Sequence, residues 1–173
     1  MIMYEHFDKN EIYLLTLLLI GYGAVILLPK ILPWNISTLF LVWGLAATTL
    51  FDFTIGGGLM DYYKVNDSNH YELFDFLYYL VFPPVSYLFV YIYEKLKINK
   101  KSISFLIFVL VWSLLGLLMD WVSTKMDVIF YQNGYKGYLS FTVFLSIQTI
   151  TALYYELVRK KNQTAGCETY VNK

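Results

Sequence analysis

The sequence predicts an all-α protein: a helical transmembrane bundle of five spans, with the N-terminus outside and the C-terminus cytoplasmic. Three observations lead there. Of 173 residues, 58% are hydrophobic and only 15% charged, against roughly 45–50% apolar and about 25% charged in a soluble domain. The mean hydropathy is +0.51, more apolar surface than a water-soluble core of this size can hide. The apolar residues also run continuously instead of alternating, as spanning helices need and barrel strands do not. A soluble enzyme, a DNA-binding domain and a disordered chain all fit poorly. The formal net charge is zero, so no bulk attraction for nucleic acid exists.

Five stretches approach the ~20 apolar residues that cross a ~30 Å hydrocarbon core. The first, Ile12–Leu28, is closed by Pro29 and Pro33. Glu5, Asp8 and Glu11 precede it, where a secretory signal would carry basic residues. The second runs from Ile36 to Ile55 and ends in Gly56-Gly57-Gly58. That triplet lacks the Lys-Ser/Thr of a phosphate loop and reads as a helix end. The third, Leu73–Tyr93, is interrupted by Pro83-Pro84, which predicts a kink with either a hinge or a static bend. Ile103–Met119 and Tyr138–Val158 complete the set. Residues 1–160 thus form one transmembrane domain, and 161–173 a polar cytoplasmic tail expected to be disordered. Between the last two spans, Trp121, Val122, Met126, Ile129 and Phe130 suggest a partial helix lying in the interface, followed by a turn at Asn133-Gly134.

Orientation follows from the basic residues. With the N-terminus outside, Lys30, Lys95, Lys97, Lys100, Lys101, Arg159, Lys160, Lys161 and Lys173 lie inside, nine against four outside. The acids run the other way. Ten of thirteen fall on or near the outer side, with only Glu94, Glu156 and Glu168 inside. Insertion is nearly indifferent to acids, so this second gradient needs another cause.

Ionisable groups within spans cost about 2.5–3.5 kcal/mol at the centre and point to function. Asp52, Asp75 and Asp120 are the candidates toward the outer side. Asp75 begins its helix, where the dipole favours a carboxylate, and Asn69 to Glu72 resembles a capping box. Asp52 and Asp120 instead stand near helix C-termini, where the dipole opposes them, without a Lys or Arg three or four residues away. Packing of the second, third and fourth spans would gather the three carboxylates at one outer level, covered by Asp61, Tyr62 and Tyr63. Such a group could hold a cation, a proton, or an ammonium against aromatic rings. Hydrogen bonding between helices is the plainer alternative, and Gln148, Thr149 and Thr151 invite the same reading. His6 and His70 are placed opposite Cys167, so neither a metal nor a cofactor is expected.

Leu50–Lys97 carries the runs Leu-Phe-Asp-Phe-Thr-Ile-Gly-Gly-Gly, Asp-Tyr-Tyr-Lys-Val-Asn-Asp and Tyr-Glu-Leu-Phe-Asp-Phe. With Trp112–Asp120 and Tyr131–Tyr138, it resembles small multi-pass membrane proteins of Gram-positive, spore-forming bacteria. The resemblance implies a bacterial plasma membrane and brings no catalytic residue with it. Three functions then compete. The first is a bundle whose acidic, aromatic outer pocket binds or senses a cationic ligand or partner. Next is a cation- or proton-linked transporter or channel subunit using Asp52 and Asp120. An intramembrane enzyme with paired carboxylates comes last, for want of any nucleophile or metal motif. Expected partners are the lipid bilayer and a second copy or another membrane protein.

Overall fold

In the computed structural model, residues 8–57, 59–65 and 73–171 are described, without the side chains of Leu73, Asp75 and 162–171. The predicted cap Asn69–Glu72, together with Glu5, His6, Asp67 and His70, lies outside the described residues, as do the side chains of Cys167 and Glu168. The architecture is mostly helical. In chain order come α1 (Lys9–Leu27), α2 (Trp34–Ile55), β1 (Tyr63–Val65), α3 (Leu73–Leu80), α4 (Phe82–Lys95), α5 (Ile103–Lys125), β2 (Ile129–Tyr131) and α6 (Gly137–Val171). Five helical segments are long and apolar enough to cross a membrane: Lys9–Leu27, Trp34–Ile55, Phe76–Lys95, Ile103–Lys125 and Gly137–Lys161.

The third span is two helices, broken at Val81 just before the prolines. Proline lacks the N–H that a helix interior needs, but the first turn of a helix leaves those donors unused. Pro83 and Pro84 therefore sit in the first turn of α4, where the missing donors cost nothing. Both are buried. They are seated against glycines. A Cβ on Gly44 of α2 would stand 2.6 Å from the Phe82 carbonyl oxygen and 2.9 Å from Pro83 Cα. One on Gly21 of α1 would meet the Pro84 ring at 3.1 Å. Small residues let helices approach this closely inside a bilayer. As a result α2 packs along α4, α1 lies across α3 and α4, and α5 pairs with α6.

Three expectations about the connections need correction. α5 continues beyond Met119 to Lys125, because Asp120 and Ser123 extend its buried stripe of Phe105, Phe108, Val109 and Ser113. Ile129 and Phe130 belong to a strand, not to an interfacial helix. Asp127, with φ 55°, reverses the chain after α5, and β2 then pairs antiparallel with β1 in the register Tyr63↔Tyr131, Lys64↔Phe130, Val65↔Ile129. The turn at Asn133-Gly134 is present, both residues having positive φ. Finally, α6 runs on to Val171, since residues 159–165 are mostly good helix formers without a proline.

Two cores stabilise the bundle. Toward the basic end, Phe40, Phe89, Tyr93, Phe108 and Tyr155 are fully or nearly buried, with edge-to-face contacts such as Phe89–Phe108 at 5.0 Å and Tyr93–Tyr155 at 5.5 Å. Toward the ribbon end, Leu14, Phe74, Tyr78, Val128 and Ile129 form a smaller cluster. A cavity lies between them. The glycine seat can be tested by substitution. Gly44→Ala should destabilise by about 1–3 kcal/mol through overpacking. Gly23→Ala, with open space around it, should be neutral or stabilising by up to about 1 kcal/mol. Thermal unfolding in one detergent compares the two, and equal midpoints would contradict the seat.

Candidate functional site

The two unpaired helix-end carboxylates meet the ribbon. Asp52, in the last turn of α2, accepts a hydrogen bond from the Tyr79 hydroxyl of α3 at 2.5 Å through Oδ2. Its Oδ1 is buried with no donor in hydrogen-bonding geometry. The Tyr63 phenol of β1 lies beside that carboxylate and feels its charge. Gly56 is required here. A Cβ would stand 2.6 Å from Asp52 Oδ1 and 2.9 Å from Tyr63 Cε2, which gives the first of the three glycines its purpose.

Asp120 is only 8% exposed, because it sits on the inward stripe of α5. The Tyr131 hydroxyl of β2 donates to its Oδ2 at 2.5 Å. Ser140 of α6 lies against the same carboxylate and is 3.1 Å from the Tyr135 hydroxyl. The ribbon register places Tyr63 opposite Tyr131, and directly opposed residues share one face of a sheet. That pair thus meets two carboxylates, Tyr63 at Asp52 and Tyr131 at Asp120. Between them lies Tyr78 of α3, buried and within the field of both.

The cavity adjoins only part of this group. It is bounded by α2, α4, α5, α6 and Tyr78 of α3, and roofed by Tyr63, Ile129 and Tyr135. Its volume open to the centres of water-sized spheres is about 120 Å³, against the roughly 10–15 Å³ that one water needs. Among the described residues, Asp120 supplies its only charge. The remaining walls are mostly apolar, with Thr48, Ser86, Ser140, Gln148 and Thr151 as scattered polar groups. Among the described residues, no three His, Cys, Asp or Glu side chains gather to hold a metal.

The expected covering of the acids is only partly realised. Tyr63 covers them. Asp61 does not: it is exposed, its φ is 52°, and its carboxylate and carbonyl accept from the side chains of Gln132 and Asn133 at 2.6–3.2 Å. It ties the two connections together. Tyr62 stacks on Tyr135 with centroids 5.4 Å apart and does not line the cavity. Asp75 belongs to α3, and its side chain lies outside the described residues. Pro83 and Pro84 flank the cavity without lining it; Phe82 and Ser86 on either side do so. Of the polar residues in α6, Thr151 accepts from Trp43 Nε1 at 2.9 Å, Gln148 lines the cavity, and Thr149 bonds only to its own helix.

Sequence reasoning missed Tyr78, Tyr79, Tyr131 and Tyr135. The signal was the run of tyrosines in Tyr131–Tyr138, whose strand is too short to show alternation. It also missed an arrangement at the basic end. There Tyr93 donates to Glu156 at 2.9 Å, Tyr155 donates to Glu94 at 2.7 Å, and Arg159 lies 3.3 Å and 3.7 Å from the two carboxylates. The Tyr-Glu dipeptide repeated at 93–94 and 155–156 could have revealed it. No known protein family matches the chain, and neither a curated protein nor a solved structure does.

Burial, and then the neighbouring Asp52 charge, push the Tyr63 phenol well above its ordinary value. Burial, and then the hydrogen bond donated to Asp120, do the same for Tyr131. A raised phenol is protonated more readily in the folded state. Its stabilisation is therefore complete below the unfolded value of about 10 and is lost as pH climbs past it. Thermal midpoints should hold to about pH 10 and fall above it, less steeply in Tyr131→Phe. At neutral pH that variant should lose about 1–3 kcal/mol, because Asp120 loses the Tyr131 donor while its carboxylate stays buried. An unchanged midpoint at pH 7 would contradict a stabilising Tyr131–Asp120 hydrogen bond.

Proposed function

We propose that this chain is a multi-pass protein of a bacterial plasma membrane that binds or senses a cationic ligand through Asp120 in the cavity beneath the ribbon. One observation carries the reading: a single, nearly buried carboxylate faces an open cavity walled by aromatic rings. A carboxylate in that setting attracts a cation, and tyrosine faces add cation–π attraction of about 0.5–2 kcal/mol. The orientation with the ribbon outside is supported by where the charges gather. The ends of α4 and α6 that carry Lys95 and Arg159–Lys161 meet through the Glu94–Arg159 pair. Lys9 pairs with Asp127 at 2.7 Å at the opposite, acid-rich end. Basic residues belong inside, so the cavity opens under the outer surface. The bacterial setting rests on the resemblance of Leu50–Lys97.

Tetramethylammonium should raise the thermal midpoint of the wild-type protein in lipid nanodiscs. Asp120→Asn should weaken that binding at least tenfold while keeping its helical circular dichroism. Asp61→Asn, outside the cavity, should bind as the wild type does. A wild-type protein indifferent to the cation would refute the reading. A second reading, proton- or cation-linked transport through Asp52 and Asp120, is favoured by Tyr78, which lies in the field of both. Acid-driven uptake of the same cation into proteoliposomes, abolished by Asp52→Asn, is its expected outcome. Vesicles without flux would remove it.

A further inference from the structure

The cavity has a shape as well as a charge. Its wall on α6 is the stripe Ser140, Phe144, Ile147 and Thr151, spaced so that every residue faces the same way. At about 1.5 Å per residue that stripe is about 16 Å long. On α2 the facing wall runs from Trp43 to Ile55, about 18 Å by the same rise. A spherical cation needs a fraction of that length. The slot is lined mostly by apolar side chains, and its one charge among the described residues, Asp120, lies beneath the ribbon.

Its far end is closed. Trp43 donates to Thr151 at 2.9 Å and packs its ring on Tyr154 at 5.1 Å, with Phe40 on Tyr154 at 5.5 Å behind it. These contacts bind α2 to α6 at that end. Toward the ribbon the two helices have other principal neighbours, α4 for α2 and α5 for α6. Lining residues on both sides of the seam between them, among them Phe51 and Val143, are half-buried. In a spanning bundle, such a seam would give a chain a sideways route from the bilayer into the slot. Its polar end then stays at the level of the ribbon, near the interface, where amphipathic groups are best accommodated.

From this shape and charge, and resting on the cation-binding reading above, we infer that the ligand is a single-chain amphiphile with a cationic head. The head lies at Asp120 among the tyrosines, and the chain lies in the slot between α2 and α6. An anionic head would meet an uncompensated buried carboxylate, and a neutral one would forgo its attraction.

Three probes separate the outcomes in nanodiscs of zwitterionic lipid: dodecyltrimethylammonium, tetramethylammonium and dodecanol. The long cation should bind at least a hundredfold more tightly than tetramethylammonium, and dodecanol should not compete with either at matched concentration. Filling the slot with Ile147→Trp should cut the affinity ratio of the two cations at least tenfold. Val143→Phe is the second filling variant should the first fail to fold. Equal affinity for the two cations, or a ratio that neither filling variant changes, overturns the amphiphile and leaves cation binding standing. Effective competition by dodecanol would show that the charge is irrelevant and overturns it too. If neither cation binds the wild type, both readings fall together.

Discussion

Pro83 and Pro84 interrupt the third span, and the glycines opposite them decide what the interruption does. Gly44 lets α2 come to within contact of the backbone at the break, while Gly21 receives the Pro84 ring from the other side. The bend is therefore packed, with both prolines buried. Everything at the ribbon end follows from it. α3 leaves the axis of α4, so its adjacent tyrosines part company: Tyr79 reaches Asp52, and Tyr78 turns into the cavity wall. With α2 held against α4 through Gly44, that same side of α2 also borders the space toward α6. That space is the slot.

A second theme is the handling of buried and half-buried carboxylates by neutral donors. Asp52, Asp120, Glu94 and Glu156 each accept a hydrogen bond from a tyrosine on another element. Supplying a lysine or arginine instead would bury a second charge, whose desolvation can exceed the gain from pairing. A phenol satisfies the acceptor and brings its own apolar ring, which packs well in the same low-dielectric surroundings. The 17 tyrosines of the chain are in part explained by this duty. At the basic end the exchange is reciprocal between α4 and α6, and Arg159 adds a cation where the side chains are already partly exposed.

The number of spans and their approximate limits were legible because hydropathy over some twenty residues is a strong, redundant signal. The break in the third span was legible from two adjacent prolines, though not the glycines that receive it, which lie 62 and 39 residues or so upstream in other helices. Asp52 and Asp120 were recognisable as unusual from helix direction alone. Their partners were not. Tyr131 acts from a strand of three residues, too short for a period of two to register, and its pairing with Tyr63 depends on a long-range register that no local pattern encodes. The error over 120–137 has the same root. Apolar residues at roughly helical spacing suggest an amphipathic helix, whereas α5 takes Trp121 and Val122, and the left-handed residue Asp127 precedes the strand that holds Ile129 and Phe130.

The ribbon also imposes an order on assembly. Tyr79 follows Asp52 by 27 residues, so the first carboxylate can find its donor while the third span is being made. Tyr131 is synthesised well after Tyr63, and the α6 wall comes later still. Until then, α2 and α4 present the unfinished slot directly to the surrounding lipid. α6 is the last of the cavity's walls in chain order, so the cavity takes its form only once the final helix is in place.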